Sequence, residues 1–348
     1  KFRSALLQKV AVVSINTPGF DASLRIQKAI LPAFETKLFY KDGFGSGGVG
    51  FGSLDEVMDE IWGFDIILFF LATGIVVRKI APRLVSKTSD PAVLVADFGM
   101  SGVVPLISGH IGGANEFAEY LCEKFDGCRA FITTATDQTG SFAFDMYAKK
   151  MGFGIENISA LAALSNAMIN GSKVIVSSYP SIIEELKKLI KKESVEYKSP
   201  DEPLYFEYPT VVVSPFAPNS QALRLKIQKI SIGVGMNRGT SAREIEEALR
   251  AFLGEYSLET AQIESFCSFE AKSDEVGLLE FCEKYNFLLK FFQKEDINSL
   301  QNKFSSSKAT EFFGIKGVAE PSAVLGSKYK ELFIKKRVFG GVTIAAAF

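Results

Sequence analysis

The run Phe64-Asp-Ile-Ile-Leu-Phe-Phe-Leu-Ala-Thr-Gly-Ile-Val-Val77 is apolar nearly throughout, yet it contains Asp65 and Gly74. It is too short to cross a bilayer and reads instead as a buried strand running into a helix. The same alternation recurs along the chain. Strands are expected at 10–15, 35–40, 65–71, 92–97, 103–107 and 129–133, with helices at 20–31 and 54–61 among them. A second unit starts near Gly140, with helices at 141–150, 157–169 and 181–192 and strands near 173–177 and 209–214. Lys191 to Pro203 is charged and reads as a surface connection. Pro215 to Gln221, rich in Pro, Asn and Ser, is the better boundary. Alternation then restarts, with strands at 227–234, 260–266, 286–291, 331–335 and 342–347 and helices near 241–253, 273–285 and 320–327.

The expected class is α/β. An N-terminal α/β domain covers 1–139, a middle region (140–222) packs on it, and a separate C-terminal α/β domain covers 223–348. The strand ends should gather on one edge of the N-terminal sheet, where open α/β sheets place their ligands.

Composition narrows the function classes. The 348 residues carry a net charge of −1, so there is no electrostatic case for nucleic acid as a partner. With 47% hydrophobic residues and 31 phenylalanines the chain is a packed protein, not a disordered one. No signal peptide and no membrane span is visible. The four cysteines, at 122, 128, 267 and 282, form no CxxC pair, and there is a single histidine. A protein-bound zinc site is therefore not expected, and a reducing cytoplasm fits best.

That one histidine, His110, lies in Ser108-Gly-His-Ile-Gly-Gly-Ala-Asn115. It is the only side chain here whose ordinary pKa suits proton transfer near neutrality. Apolar Ala114, Phe117, Ala118, Leu121 and Cys122 follow at helical spacing. The segment reads as a strand end, a glycine turn and a helix start whose N–H groups could face an anion. A structural histidine beside a packing-driven turn is the competing reading.

Other polar residues fall at expected strand ends: Thr73, Gly74 and Arg78; Lys87; Asp97; and Thr133-Thr-Ala-Thr-Asp137. Helix capping explains any one of them, but explains less well why Arg, Lys, His, Thr and Asp share the same loops. Gly45-Ser-Gly-Gly-Val-Gly50 satisfies GxGxxG, but its strand is short and no acidic ribose partner follows, so a flexible glycine loop is preferred. Gly233-Val-Gly235 is a better placed strand-to-helix turn, able to hold an anion or to serve close packing.

These residues resemble a known family. Leu71-Ala-Thr-Gly-Ile-Val-Val-Arg-Lys-Ile-Ala-Pro82, Ser86-Lys-Thr-Ser-Asp-Pro-Ala-Val93, Ser108–Asn115 and Thr133–Asp137 are similar to the cobalamin biosynthesis family CbiG. So are Gly233-Val-Gly-Met-Asn-Arg-Gly239, Lys272-Ser-Asp-Glu275 and Gly317-Val-Ala-Glu-Pro321. Met236 departs from the pattern, standing where the family often has cysteine.

The resemblance implies a cobalt-precorrin-5A hydrolase of anaerobic vitamin B12 synthesis, which opens a δ-lactone and releases acetaldehyde. It implies a tetrapyrrole substrate that brings its own cobalt, so that no protein cofactor or metal is required. It leaves room for a homodimer and for transient contact with other enzymes of the pathway. On this view His110 is the catalytic base, oriented by Asp97 or Asp137, with Ser108 as a covalent alternative. His110 as an axial ligand to the substrate's cobalt is a further option. Thr73, Gly74, Arg78, Lys87, Gly112, Gly113, Asn115, Thr134, Thr136, Gly235 and Glu320 are expected to bind substrate. The rival from another class is a non-catalytic tetrapyrrole carrier, which the abundance of Phe would suit.

Overall fold

In a computed structural model describing residues 7–216, 221–300, 314–315 and 317–348, the chain forms two units, Lys1–Ser141 and Phe142–Phe348. Part of the boundary expected at Pro215 to Gln221 lies outside the described residues. No described helix is long and apolar enough to cross a membrane.

The first unit is a seven-stranded sheet. Its strands are β1 (Lys9–Ser14), β2 (Glu35–Lys41), β3 (Val49–Phe51), β4 (Ile66–Phe70), β5 (Ala92–Ala96), β6 (Gly102–Ile107) and β7 (Arg129–Ala130), in the order β3-β2-β1-β4-β5-β6-β7. The central strands are apolar at nearly every position because both faces are covered. Val10, Val12, Leu68 and Leu94 pack against Ile26 and Ile30 of the helix Thr17–Ile30 and against Phe117 and Leu121 of the helix Ala114–Cys122. Ala11, Val13, Ile67 and Val93 face the opposite way, onto Met58, Ile61, Val76 and Ile80.

Strands β1 to β5 run parallel, but β6 returns antiparallel to β5, pairing Val93 with Ile107 and Ala96 with Val103. β7 runs parallel to β6. The ends of β6 and β7 therefore lie at the amino end of β5, and the strand ends gather on two edges rather than on one. The reason is the connection. Residues 97–101 are too few for a parallel crossover, which needs a dozen or more. The Asp97 carboxylate closes this turn, accepting the N–H groups of Gly99 at 3.0 Å and Gly102 at 2.7 Å. At the far end of the helix Ala114–Cys122, Cys122 and Cys128 are joined in a disulfide across a turn at Gly127, which has φ +78°. The spacing of the cysteines did not point to it.

The second unit holds two five-stranded sheets. The middle sheet has the order β10-β9-β11-β12-β8, with β8 (Gly154–Glu156), β9 (Val174–Ser177), β10 (Val195–Lys198), β11 (Thr210–Ser214) and β12 (Leu223–Lys226). The C-terminal sheet has the order β15-β14-β13-β17-β16, with β13 (Ile230–Met236), β14 (Ile263–Phe269), β15 (Leu288–Phe292), β16 (Leu332–Phe339) and β17 (Val342–Ala347). A separate C-terminal sheet is as expected. Residues 223–226 differ from expectation, because β12 pairs with β11 and β8 and so belongs to the middle sheet.

The middle region shares its core with the C-terminal domain. Val176, Leu186, Val211 and Leu223 share one buried cluster with Ile232, Phe252, Phe266 and Phe348 of the C-terminal domain. Aromatic pairs line that junction, with ring centroids 5.1 Å apart for Tyr179–Phe348 and 5.4 Å for Phe216–Phe333. Polar bonds cross it too. Ser181 N–H donates to Glu331 Oε2 at 3.0 Å, and Gln262 Nε2 donates to the carbonyls of Pro215 and Ile227, each at 3.0 Å. Amphipathic elements do not announce in sequence which neighbour covers them.

Gly233 and Gly235 lie inside β13, not in a turn. A Cβ on Gly233 would sit 1.8 Å from the Ala319 carbonyl oxygen and 2.6 Å from Ala323 N, because the helix Ala319–Gly326 lies directly on the strand. At Gly235 the nearest atom would be the Val318 side chain, at 3.4 Å. Gly233→Ala should accordingly destabilise the second unit by about 3 kcal/mol or more, an overpacking cost that backbone atoms cannot relieve. Gly235→Ala should cost about 1 kcal/mol or less. Urea unfolding of the two variants checks the difference, and equal losses would contradict the packing account.

Candidate active site

The His110 loop is built by backbone closure. After β6 the chain enters the left-handed region at Ser108, with φ 56°. The Ser108, Gly109 and His110 carbonyls then accept the N–H groups of Ala114 (3.2 Å), Asn115 (3.0 Å) and Gly113 (3.1 Å). Gly112 is needed for this closure, since a Cβ there would lie 2.5 Å from Ser108 Cβ. Gly113 is needed for its φ of +87°. The expected anion cradle at Gly112 and Gly113 is thereby corrected: the N–H groups of Gly113, Ala114 and Asn115 are taken by loop carbonyls.

Within this loop His110 meets Asp137. His110 Nε2 lies 3.1 Å from Asp137 Oδ2, with side chains 11% and 40% exposed. Thr136 Oγ1 is 3.4 Å from the same nitrogen. Asn115, which is buried, donates from Nδ2 to Asp137 Oδ2 at 2.7 Å and to Thr134 Oγ1 at 3.0 Å. An ionised carboxylate only accepts, so a neutral imidazole meets Asp137 with Nε2 as the donor. The arrangement is a histidine oriented by an aspartate, able to take a proton and to stabilise the cation that results.

Ser108 is not set up as a nucleophile on His110. Its Oγ donates to the Asp90 carbonyl at 3.0 Å, and its left-handed backbone removes the extended geometry in which residues two apart share a face. The same bond ties the loop before β5 to the site. Sequence reasoning missed Asp90, whose carboxylate accepts the N–H groups of Val85 (3.0 Å) and Ser86 (3.1 Å). An aspartate four residues after a serine was the available signal. This pinned loop presents Lys87 to solvent, beside Val85, which is 85% exposed.

The other expected residues lie elsewhere. Thr73 and Gly74 open the helix Thr73–Ile80 at the carboxyl end of β4, and Arg78 Nη1 folds back onto the Gly74 carbonyl at 2.9 Å. Asp97 stands at the carboxyl end of β5, on the edge opposite to His110. Burial acts to raise its pKa. Hydrogen bonds from the Gly102 N–H, the Ser101 hydroxyl and the Gly99 N–H outweigh that and hold the carboxyl below its ordinary value. Asp97 is a turn residue here, not the partner of His110. Gly235 and Glu320 belong to the second unit, where buried Glu320 accepts the Lys336 N–H at 3.1 Å and ties its helix to β16.

The first unit is thus an α/β sheet with a carboxylate-held imidazole at one edge. Three profiles match in chain order: "Cobalamin synthesis G N-terminal" over residues 56–137, "Cobalamin biosynthesis central region" over 142–225 and "Cobalamin synthesis G C-terminus" over 230–347. The chain belongs to the CbiG family of cobalamin biosynthesis proteins. It is 29% identical over 291 residues to a cobalt-precorrin-5A hydrolase of Priestia megaterium, covering 81% of this chain and 78% of that one. It is 26% identical over 330 residues to a cobalt-precorrin-5A hydrolase of Salmonella typhimurium, covering 90% of each. A solved structure of a cobalamin biosynthesis protein G homolog from Sulfolobus solfataricus aligns over 98% of this chain and 97% of that one, at 21% identity and a TM-score of 0.38.

The position of Asp97 has a measurable consequence. Because folding depresses its pKa, Asp97 contributes stability that is present above the ordinary aspartate range and is lost as the pH falls through its folded value. Asp97→Asn should therefore destabilise the protein at pH 7, and its deficit against wild type should shrink below the ordinary aspartate range. It should not reproduce the about hundredfold or greater loss of turnover that marks a missing general base. Urea midpoints at the two pH values and one rate measurement check this. A deficit that grew on acidification would contradict the assignment.

Proposed function

We propose that this chain is a cobalt-precorrin-5A hydrolase that opens the δ-lactone of the macrocycle and releases acetaldehyde. The relatives' names support the reaction class. The His110–Asp137 pair at 3.1 Å is the observation that supports the assignment of residues.

His110 takes a proton from water as that water attacks the lactone carbonyl, and Asp137 stabilises the imidazolium formed. The acyl–oxygen bond breaks. A carboxylate remains on the acetate arm, and a hydroxyl remains on the carbon that bears the methyl group. Loss of that hydroxyl proton turns the carbon into a carbonyl and breaks its bond to the ring. Acetaldehyde departs, and the electron pair stays on the macrocycle, which takes up a proton. Cobalt arrives inside the substrate, so no resident metal or cofactor is invoked. Lys87 meets a carboxylate of the ring periphery, and exposed Leu84 and Val85 beside it offer an apolar surface to the macrocycle.

Incubation with cobalt-precorrin-5A and assay of acetaldehyde tests the reading. His110→Ala should lower turnover by about two to four powers of ten with the fold retained, the usual span for a general base. Asp137→Asn, which removes the charge and keeps the shape, should cost about a hundredfold. Release at the wild-type rate by His110→Ala would remove the base assignment.

Lys87→Ala should raise KM more than it lowers kcat, and the difference from wild type should narrow at high salt, where exposed charge pairs are already screened. A fall in kcat at unchanged KM would give Lys87 a different role.

A further inference from the structure

We propose that Asn115 is a positioning residue: its carboxamide clamps the Asp137 carboxylate against the His110 imidazole. This rests on the reading of His110 as the base. It also replaces the expectation that Asn115 binds substrate.

A carboxamide nitrogen carries two hydrogens. The two acceptors of Asn115 Nδ2 are Asp137 Oδ2 at 2.7 Å and Thr134 Oγ1 at 3.0 Å, so no donor is left for a ligand. The oxygen that takes the amide, Asp137 Oδ2, is the same one that meets His110 Nε2. Asp137 itself sits on a five-residue helix, Ala135–Thr139, and is 40% exposed, so its own element does little to fix the carboxylate against water. Asn115 is buried and fixed at both ends. Its backbone N–H is held by the Gly109 carbonyl, and its side chain spans to the loop beyond β7.

The fit extends to the residue before the histidine. A Cβ on Gly109 would lie 2.7 Å from Asn115 Oδ1 and 3.1 Å from Cγ and Nδ2. Gly109 thus leaves the space that the carboxamide occupies, between the turn bearing His110 and the short helix bearing Asp137. Asn115→Ala removes the clamp, whereas Gly109→Ala displaces it. Both should free the carboxylate by different physical routes.

The chain's one histidine makes the test direct, because its imidazole N–H proton gives a single downfield NMR signal when a carboxylate holds it. Wild type should show that signal near neutral pH. Asn115→Ala should lose it to solvent exchange and should lower kcat by about ten- to a hundredfold at unchanged KM, the span expected when a catalytic group is misplaced by an ångström or less. Gly109→Ala should act in the same direction. Persistence of the signal in Asn115→Ala, or a raised KM at unchanged kcat, would overturn the proposal, the latter by making Asn115 a substrate contact. If Asn115→Ala does not fold, Thr134→Val decides, since it removes the second anchor and spares the first. A weakened signal and a lower kcat then support the clamp, and no change in either overturns it. If wild type releases no acetaldehyde yet the signal responds as expected, the hydrolase reading fails while the clamp stands.

Discussion

The antiparallel return of β6 against β5 decides where the chemistry of the first unit can be. Had β6 run parallel like β1 to β5, its end would have joined the carboxyl ends of β4 and β5, beside Thr73 and Asp97. The turn at 97–101 brings the chain back instead, and Ser108, His110 and the segment after β7 come to the amino end of β5. There the Ser108 hydroxyl meets the Asp90 carbonyl, and His110 meets Asp137. Asp97 spends its carboxylate on closing the very turn that separates it from the histidine.

Glycines then set the geometry at a finer scale, each for its own reason. Gly112 permits an approach that a Cβ would block, Gly113 supplies a left-handed residue, and Gly109 makes room for a buried carboxamide. The helix start that looks like an anion cradle by composition is satisfied by its own loop. What the loop delivers is a turn closed by its own backbone bonds around one imidazole. In the C-terminal domain Gly233 does a related job, letting a helix lie directly on a strand.

Much of this was legible in the sequence, and the failures share a cause. The α/β class and most strands of the first unit follow from short runs that are apolar at every position, as between Ile66 and Phe70. Residue type grouped His110 with Thr73, Arg78, Lys87, Asp97 and Thr133–Asp137, and of these Thr136 and Asp137 meet it. Strand direction left no trace in that apolar pattern, so Asp97 and Asp137 looked equally able to serve His110. The short 97–101 connection was the one available clue. Packing partners were equally silent. Tyr179, Phe216 and Phe348 are ordinary aromatics until folding places their rings together. The bond from Ser108 to Asp90 depended on a left-handed serine that no spacing rule foresees.

The central claim is that His110 moves a proton in hydrolysis and does not merely hold a structure together or contact the ligand. Single-turnover release of acetaldehyde by His110→Gln, saturated with cobalt-precorrin-5A, tests it most directly. Glutamine can donate and accept hydrogen bonds but cannot carry the proton. The account predicts unchanged visible spectra of the bound substrate and a rate reduced by about a hundredfold or more. Release at the wild-type rate, or an altered spectrum of the bound cobalt centre, would contradict it.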